Sequence, residues 1–172
     1  LPSSVPVGAM VETPIEMLAL DRWGTEADFV AVGCNDLLSH LCGAARDDPR
    51  LNALLDPYRP ELFRFLADAA ERAGASLERL RLCGVLPQVE GVLPILIGLG
   101  FREFSGETAL IPLLARQVSR TTLGACRDLA ETVCAAPGSR SVRELVGVSA
   151  EGPWGLVTDR ETNPGATPER IP

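Results

Sequence analysis

Four short apolar runs, each followed by a segment with helical signals, restrict what this chain can fold into more than any other feature. VPVGAMV (5–11), DFVAVGC (28–34), LERLRLCGV (77–85) and REFSG (102–106) read as strands. A helix opens at Thr13-Pro14, with Pro14 near its first position, and Gly24 ends it. DLLSHLCGAA (36–45) is a shorter helix that breaks down into a charged, proline-rich loop over 46–60. PELFRFLADAAERAGA (60–75) is the clearest amphipathic helix: Pro60 starts it, Glu61 suits its N-terminal dipole and Gly74 stops it. VEGVLPILIGLG (89–100) is an apolar helix with an internal Pro94. A last helical region begins at 108–123, continues through 124–136, and is followed by a short helix at 141–148.

Strands that alternate with helices are joined by right-handed crossovers and build a parallel sheet. The expected class is therefore α/β, made of parallel (β/α) repeats. Four such strands do not close a barrel, because closed barrels of this kind use eight. An open sheet of this size leaves two edges without partners. Residue pattern alone leaves three forms open: half of a TIM-type barrel, a small open sheet, or a half that pairs with another chain as a homodimer. The expected domain spans 1–148, and 149–172, rich in Gly, Pro, Thr and charge, reads as an extended or disordered tail.

Composition removes several function classes. At 172 residues the chain is long enough for one domain with a real core. A net charge of −7, with no Lys/Arg-rich block, argues against nucleic acid as a partner. Aromatic residues are 5% of the chain and are not interleaved with basic clusters, which removes a single-strand binding surface. No apolar run reaches the ~20 residues that span a bilayer, and the N-terminus lacks a secretory signal pattern. The expectation is a cytoplasmic protein without a membrane partner. Leu1 stands where a complete chain would carry Met, which suggests a fragment or a processed product. Five cysteines, at 34, 42, 83, 126 and 134, form no C-x-x-C pair, and His40 is the only histidine. A structural zinc site is not expected, and the cysteines read as reduced core residues, with Cys83 set apart by its place.

The residues that carry chemistry follow the strand ends. These are Glu12, Asn35-Asp36, Cys83-Gly84 and Ser105-Gly106-Glu107, with Arg46 on the excursion after the second strand. Parallel α/β folds gather ligands at that end of the sheet. Two carboxylates there suit a divalent metal that also holds a phosphate or enolate oxygen. Asn35 is a candidate donor to a phosphate oxygen, Arg46 a candidate for neutralising phosphoryl charge, and Cys83 for exchanging a proton with carbon. Each has a plainer reading: Glu12 and Asp36 as helix caps, Arg46 as a solvated loop charge, Cys83 as core, and Glu107 as a helix-start residue.

GAMVETP (8–14), DFVAVGCNDL (28–37), Arg46, LCG (82–84), IGLGFREFS (97–105) and Ile111-Pro112 occur in an order that resembles one family. That family is the phosphoenolpyruvate (PEP)-binding barrel of Enzyme I of the bacterial phosphotransferase system, a barrel shared with pyruvate phosphate dikinase and PEP synthase. The resemblance covers about Val5 to Val118, the C-terminal half of the barrel. It implies that Glu12 and Asp36 bind Mg2+, and that Asn35 contacts the phosphoryl group. It also implies that Arg46 stabilises that group in transfer, and that Cys83 protonates the enolate carbon to give pyruvate. The phosphorylated histidine of the family sits in a separate domain or protein, so His40 does not inherit that role.

The departures matter as much. The family's G-T-N-D reads Gly33-Cys34-Asn35-Asp36, and its C-G-E reads Cys83-Gly84-Val85. Its A-G-D becomes Pro87-Gln88-Val89, its S-M-S becomes Ser105-Gly106-Glu107, and the arginine after its I-P becomes Leu113. The first half-barrel, with two arginines that grip PEP in the family, is not in this sequence, so the isolated chain is expected to be inactive. Two other readings stand beside a PEP-utilising phosphotransferase: a non-catalytic binding or regulatory module on the same barrel, and a metal-dependent 2-oxo-acid lyase.

Overall fold

The computed structural model describes residues 5–45, 47–48 and 50–149. The expected tail therefore lies outside the described residues, apart from Ser149. Four strands, β1 (Gly8–Val11), β2 (Phe29–Gly33), β3 (Leu80–Cys83) and β4 (Glu103–Phe104), form one sheet in the order β1-β2-β3-β4. All three pairings are parallel, with Val11 opposite Val32, Gly33 opposite Cys83 and Leu82 opposite Phe104. The expected α/β class and open parallel sheet are what is found, and the sheet does not close.

Alternation along the strands sorts the two faces. Val11, Val30, Val32, Leu80 and Leu82 are buried and join the core formed with the helices. Those helices are α1 (Pro14–Met17), α2 (Leu20–Glu26), α3 (Cys34–Cys42), α4 (Pro60–Ala73), α5 (Val92–Gly98), α6 (Ile111–Ser119), α7 (Leu123–Ala135) and α8 (Ser139–Leu145). Met17, Leu20, Leu37, Phe63, Leu66, Ile95 and Leu96 supply most of the large side chains packed there. The opposite face carries Met10, Ala31, Gly33, Arg81 and Cys83, all exposed or half-buried. This is the arrangement of a partial barrel, with helices outside and the inward face uncovered. Among the described residues, no helix is long and apolar enough to cross a membrane.

Several expected boundaries moved. The first strand begins at Gly8 rather than Val5; Val5 and Val7 are exposed, and Val7 exchanges hydrogen bonds with Asp28. The first helix splits into α1 and α2, and Gly24 lies inside α2 rather than ending it. Gly24 is there for packing, since a Cβ would meet the Ser76 Cβ at 2.3 Å. The expected third strand loses its first three residues to a 3-10 stretch over Gly74–Arg79. The last helical region breaks into α6 and α7, where the Thr122 hydroxyl accepts from the Ala125 N–H and caps α7. A partly buried pair, Arg143 with Asp56 at 3.2 Å, fastens α8 to the loop before α4, and the Arg143 guanidinium lies over the Tyr58 ring.

Candidate active site

Three strands end in one row. Glu12 follows β1 and lies beside Gly33, the last residue of β2, which pairs with Cys83, the last residue of β3. Neighbouring strands lie ~4.8 Å apart, so the Glu12 and Cys83 backbones are about 10 Å apart across Gly33. Gly33 is what lets the Glu12 side chain lie there. A Cβ at Gly33 would meet Glu12 Oε1 at 2.4 Å and its Cγ at 2.7 Å.

Glu12 does not cap α1. That work is done by a capping box, in which the Thr13 hydroxyl accepts from the Glu16 N–H. The Glu16 carboxylate accepts from the N–H groups of Glu12 and Thr13, at 3.0 and 3.1 Å. The Glu12 N–H above all, and then the Thr13 hydroxyl, which donates to the same carboxylate at 2.9 Å, hold the Glu16 carboxyl below its ordinary pKa. The Glu12 carboxylate is thereby left to lie over Gly33.

Asp36 is not an N-cap either. Gly33 occupies that position, and Asp36 stands in the first turn of α3, where the helix dipole favours a carboxylate. Asn35, one residue earlier, reaches across to the next loop, and its Oδ1 accepts from the Val85 N–H at 2.9 Å. His40 is exposed and bonds through Nδ1 to the Asp36 carbonyl of its own helix.

Cys83 is half-buried, and its thiol donates to the Arg81 carbonyl at 3.6 Å. Gly84 then turns the chain away with φ +100°, in the left-handed region that favours glycine. A Cβ there would also strike Asn35 Oδ1 at 2.7 Å. Cys34, which stands where the resemblance has threonine, is buried, and burial pushes its thiol up to about 12. Cys126 is buried as expected, whereas Cys42 and Cys134 are half-buried; all five cysteines are free. Arg46 lies outside the described residues.

Sequence reasoning overlooked two features. On the inward face Arg81 bonds Glu103 at 2.5 Å, and its guanidinium sits 4.3 Å over the Phe29 ring. Phe29 is the first residue of β2, so Arg81 leans away from the row of strand ends. The second is Gln88, 2% exposed, which links the loop after β3 to the loop after β4. Glu107, expected to start a helix, precedes a 3-10 turn over Thr108–Leu110, and its side chain is exposed.

An open parallel sheet with helices on one face and a row of acid, glycine and thiol at its strand ends is the architecture of a partial (β/α) barrel. Residues 2–123 match the family model for the PEP-utilising enzyme, PEP-binding domain. The chain belongs to that family. It is 30% identical over 143 residues to Multiphosphoryl transfer protein 1 of Escherichia coli (strain K12), covering 83% of this chain and 17% of that one. It is 35% identical over 109 residues to Phosphoenolpyruvate-protein phosphotransferase of Bacillus subtilis (strain 168), covering 63% of this chain and 19% of the relative. The enzyme of the same name from Staphylococcus aureus is 30% identical over 142 residues, covering 83% and 25%. The chain thus spans a quarter or less of the length of these relatives.

Proposed function

We propose that this chain supplies one half of a PEP site in a PEP-utilising phosphotransferase. The site binds PEP with Mg2+, passes the phosphoryl group to a protein histidine and releases pyruvate. The observation that carries this reading is the row Glu12–Gly33–Cys83, in which a carboxylate lies in a cradle that a Cβ would fill.

The donor set fits the metal. Mg2+ is usually held by one or two carboxylates, several waters and substrate phosphate oxygens. Glu12 and Asp36 are two such carboxylates, placed after the neighbouring strands β1 and β2. When bound, Mg2+ would draw charge from the phosphate and from the enolate oxygen.

This chain's own residues divide the remaining work. The oxygen of Asn35 is engaged by Val85, which leaves its N–H2 group as a donor to a phosphoryl oxygen. Arg46 neutralises charge that develops as the phosphoryl group passes from the enol oxygen of PEP to the histidine nitrogen. The bond between phosphorus and the enol oxygen breaks, and its electrons stay on the enolate. Cys83 then gives its thiol proton to the methylene carbon, which completes pyruvate and leaves a thiolate that solvent reprotonates. The partner is a histidine-bearing phosphotransfer domain or protein, the compartment is the cytoplasm, and the 172-residue chain alone is inactive.

A second reading, a module that binds but does not turn over, is favoured by Val85 in place of the acid beside the thiol. Calorimetric titration of PEP into the full-length protein, with and without Mg2+, tests the site itself. Metal-dependent binding lost in Glu12→Ala and Asp36→Ala is expected. Binding that ignores the metal and both substitutions would refute the proposed ligands.

A further inference from the structure

We propose that Gln88 is a positioning residue for the Cys83 thiol, a role that rests on the phosphotransferase reading above. The 3-10 turn Leu86–Gln88 follows β3, and Gln88 is 2% exposed in a loop where a polar side chain would ordinarily face water. Its amide is used at both ends. Nε2 donates to the Gly84 carbonyl at 2.9 Å, and Oε1 accepts from the Glu107 N–H at 2.8 Å. Both partners are backbone groups, one acceptor and one donor, so the orientation of the amide is unambiguous.

The Gly84 carbonyl and the Val85 N–H belong to one peptide unit. Gln88 holds its oxygen and Asn35 holds its hydrogen. A planar peptide gripped at both poles is held against rotation, and only the Cys83–Gly84 peptide separates this one from Cys83. Its grip holds the chain in the left-handed turn at Gly84, φ +100°, and so fixes the path by which the backbone leaves Cys83. Through the Glu107 N–H, the same amide ties the β4 loop to the β3 loop.

Gly106 makes room for this. A Cβ at Gly106 would lie 3.0 Å from Gln88 Cδ and 3.1 Å from Oε1, tighter than ordinary contact. A large polar residue at 88 and no side chain at 106 are thus one structural feature: the amide fills space that any residue but glycine at 106 would claim. A thiol that must meet a planar enolate carbon is sensitive to such orientation, because small misplacements of reacting groups lower rates steeply.

The test uses the full-length protein with Gln88→Leu, and with Gly106→Val as a variant that keeps Gln88 but displaces its amide. Steady-state pyruvate release gives kcat and KM for PEP, and iodoacetamide labelling followed by peptide mapping gives the alkylation rate of Cys83. The expected result in both variants is a fall in kcat of about tenfold, KM within twofold of wild type, and a Cys83 alkylation rate changed at least threefold. A kcat within twofold of wild type overturns the proposal. So does a lowered kcat with an unaltered Cys83 rate, since that would be a scaffold effect alone. Should Gln88→Leu fail to fold, Gly106→Val decides by the same criteria. Should the wild type release no pyruvate, the phosphotransferase reading fails, and the alkylation rates alone decide whether Gln88 positions the thiol.

Discussion

Replacing Gly33 by alanine is expected to damage the site and spare the fold. The new Cβ would sit 2.4 Å from Glu12 Oε1, and ordinary contact begins at 3.4 Å, so the oxygen must retreat by about 1 Å. The atoms in the way, Oε1 and the Cγ at 2.7 Å, belong to a single Glu12 side chain that can swing aside as a whole, and Gly33 has φ −78° and ψ 85°, outside the left-handed region. Alanine is a poorer N-cap than glycine, but it also restricts the unfolded chain, so stability should stay within about 1 kcal/mol of wild type. A displacement of about 1 Å in a reacting constellation costs on the order of 100-fold in rate, or about 2.7 kcal/mol of barrier. The measurement pairs urea unfolding with Mg2+ titrations of PEP-dependent pyruvate release in the full-length protein. A wild-type melt together with a loss near 100-fold, or a Mg2+ requirement raised by a similar factor, is predicted. Unaltered Mg2+ dependence and rate would refute the idea that Glu12 works from the place Gly33 gives it.

Cys34 tests the burial argument. Its thiol is raised to about 12 in the fold from an ordinary 9, mainly by burial. The unfolded chain therefore loses this proton first, so stability is full below pH 9 and falls as pH rises from there towards 12. Cys34→Ala should flatten that alkaline loss in denaturant melts; an unchanged slope would contradict it. In the native protein at pH 8, alkylation should mark Cys83 well before Cys34, and equal labelling would be inconsistent with a buried Cys34. Asn35→Ala leaves the Val85 N–H without its acceptor and should cost about 1–3 kcal/mol, whereas Asn35→Asp keeps an acceptor and should cost less, by urea unfolding. Arg143→Met removes one member of a partly buried pair and should destabilise by about 3 kcal/mol, and a change below about 1 kcal/mol would mean that solvent replaces it.

The parallel sheet was legible because strand-length apolar runs alternate with helices, and crossover handedness leaves few other topologies. Glu12 and Cys83 were legible as strand-end residues for the same reason, and strand pairing brings both beside Gly33. What sequence pattern missed depends on contacts between distant segments. Gly24 looks like a helix stop, yet it is a notch for Ser76, a residue some fifty positions away that carries no signal of the contact. Arg81 alternates with buried leucines as any outward strand residue would, and nothing local announces its stacking on Phe29. Gln88 looks like an ordinary loop residue. The only available hint was the pairing of an unusual Gln88 with an unusual Gly106, which becomes meaningful once the two loops are seen to touch. The helix-cap readings of Glu12 and Asp36 were reasonable by residue type, but Thr13 with Glu16 takes one cap and Gly33 the other.

The most direct measurement of the central claim follows both products of one turnover. The full-length protein is incubated with Mg2+ and PEP labelled in its phosphoryl group, and both phosphoprotein and pyruvate are quantified. The account predicts equimolar pyruvate and acid-labile phosphohistidine, both abolished by chelating the metal and by Glu12→Ala or Asp36→Ala. Pyruvate formed without phosphoprotein, or PEP bound without either product, would contradict it.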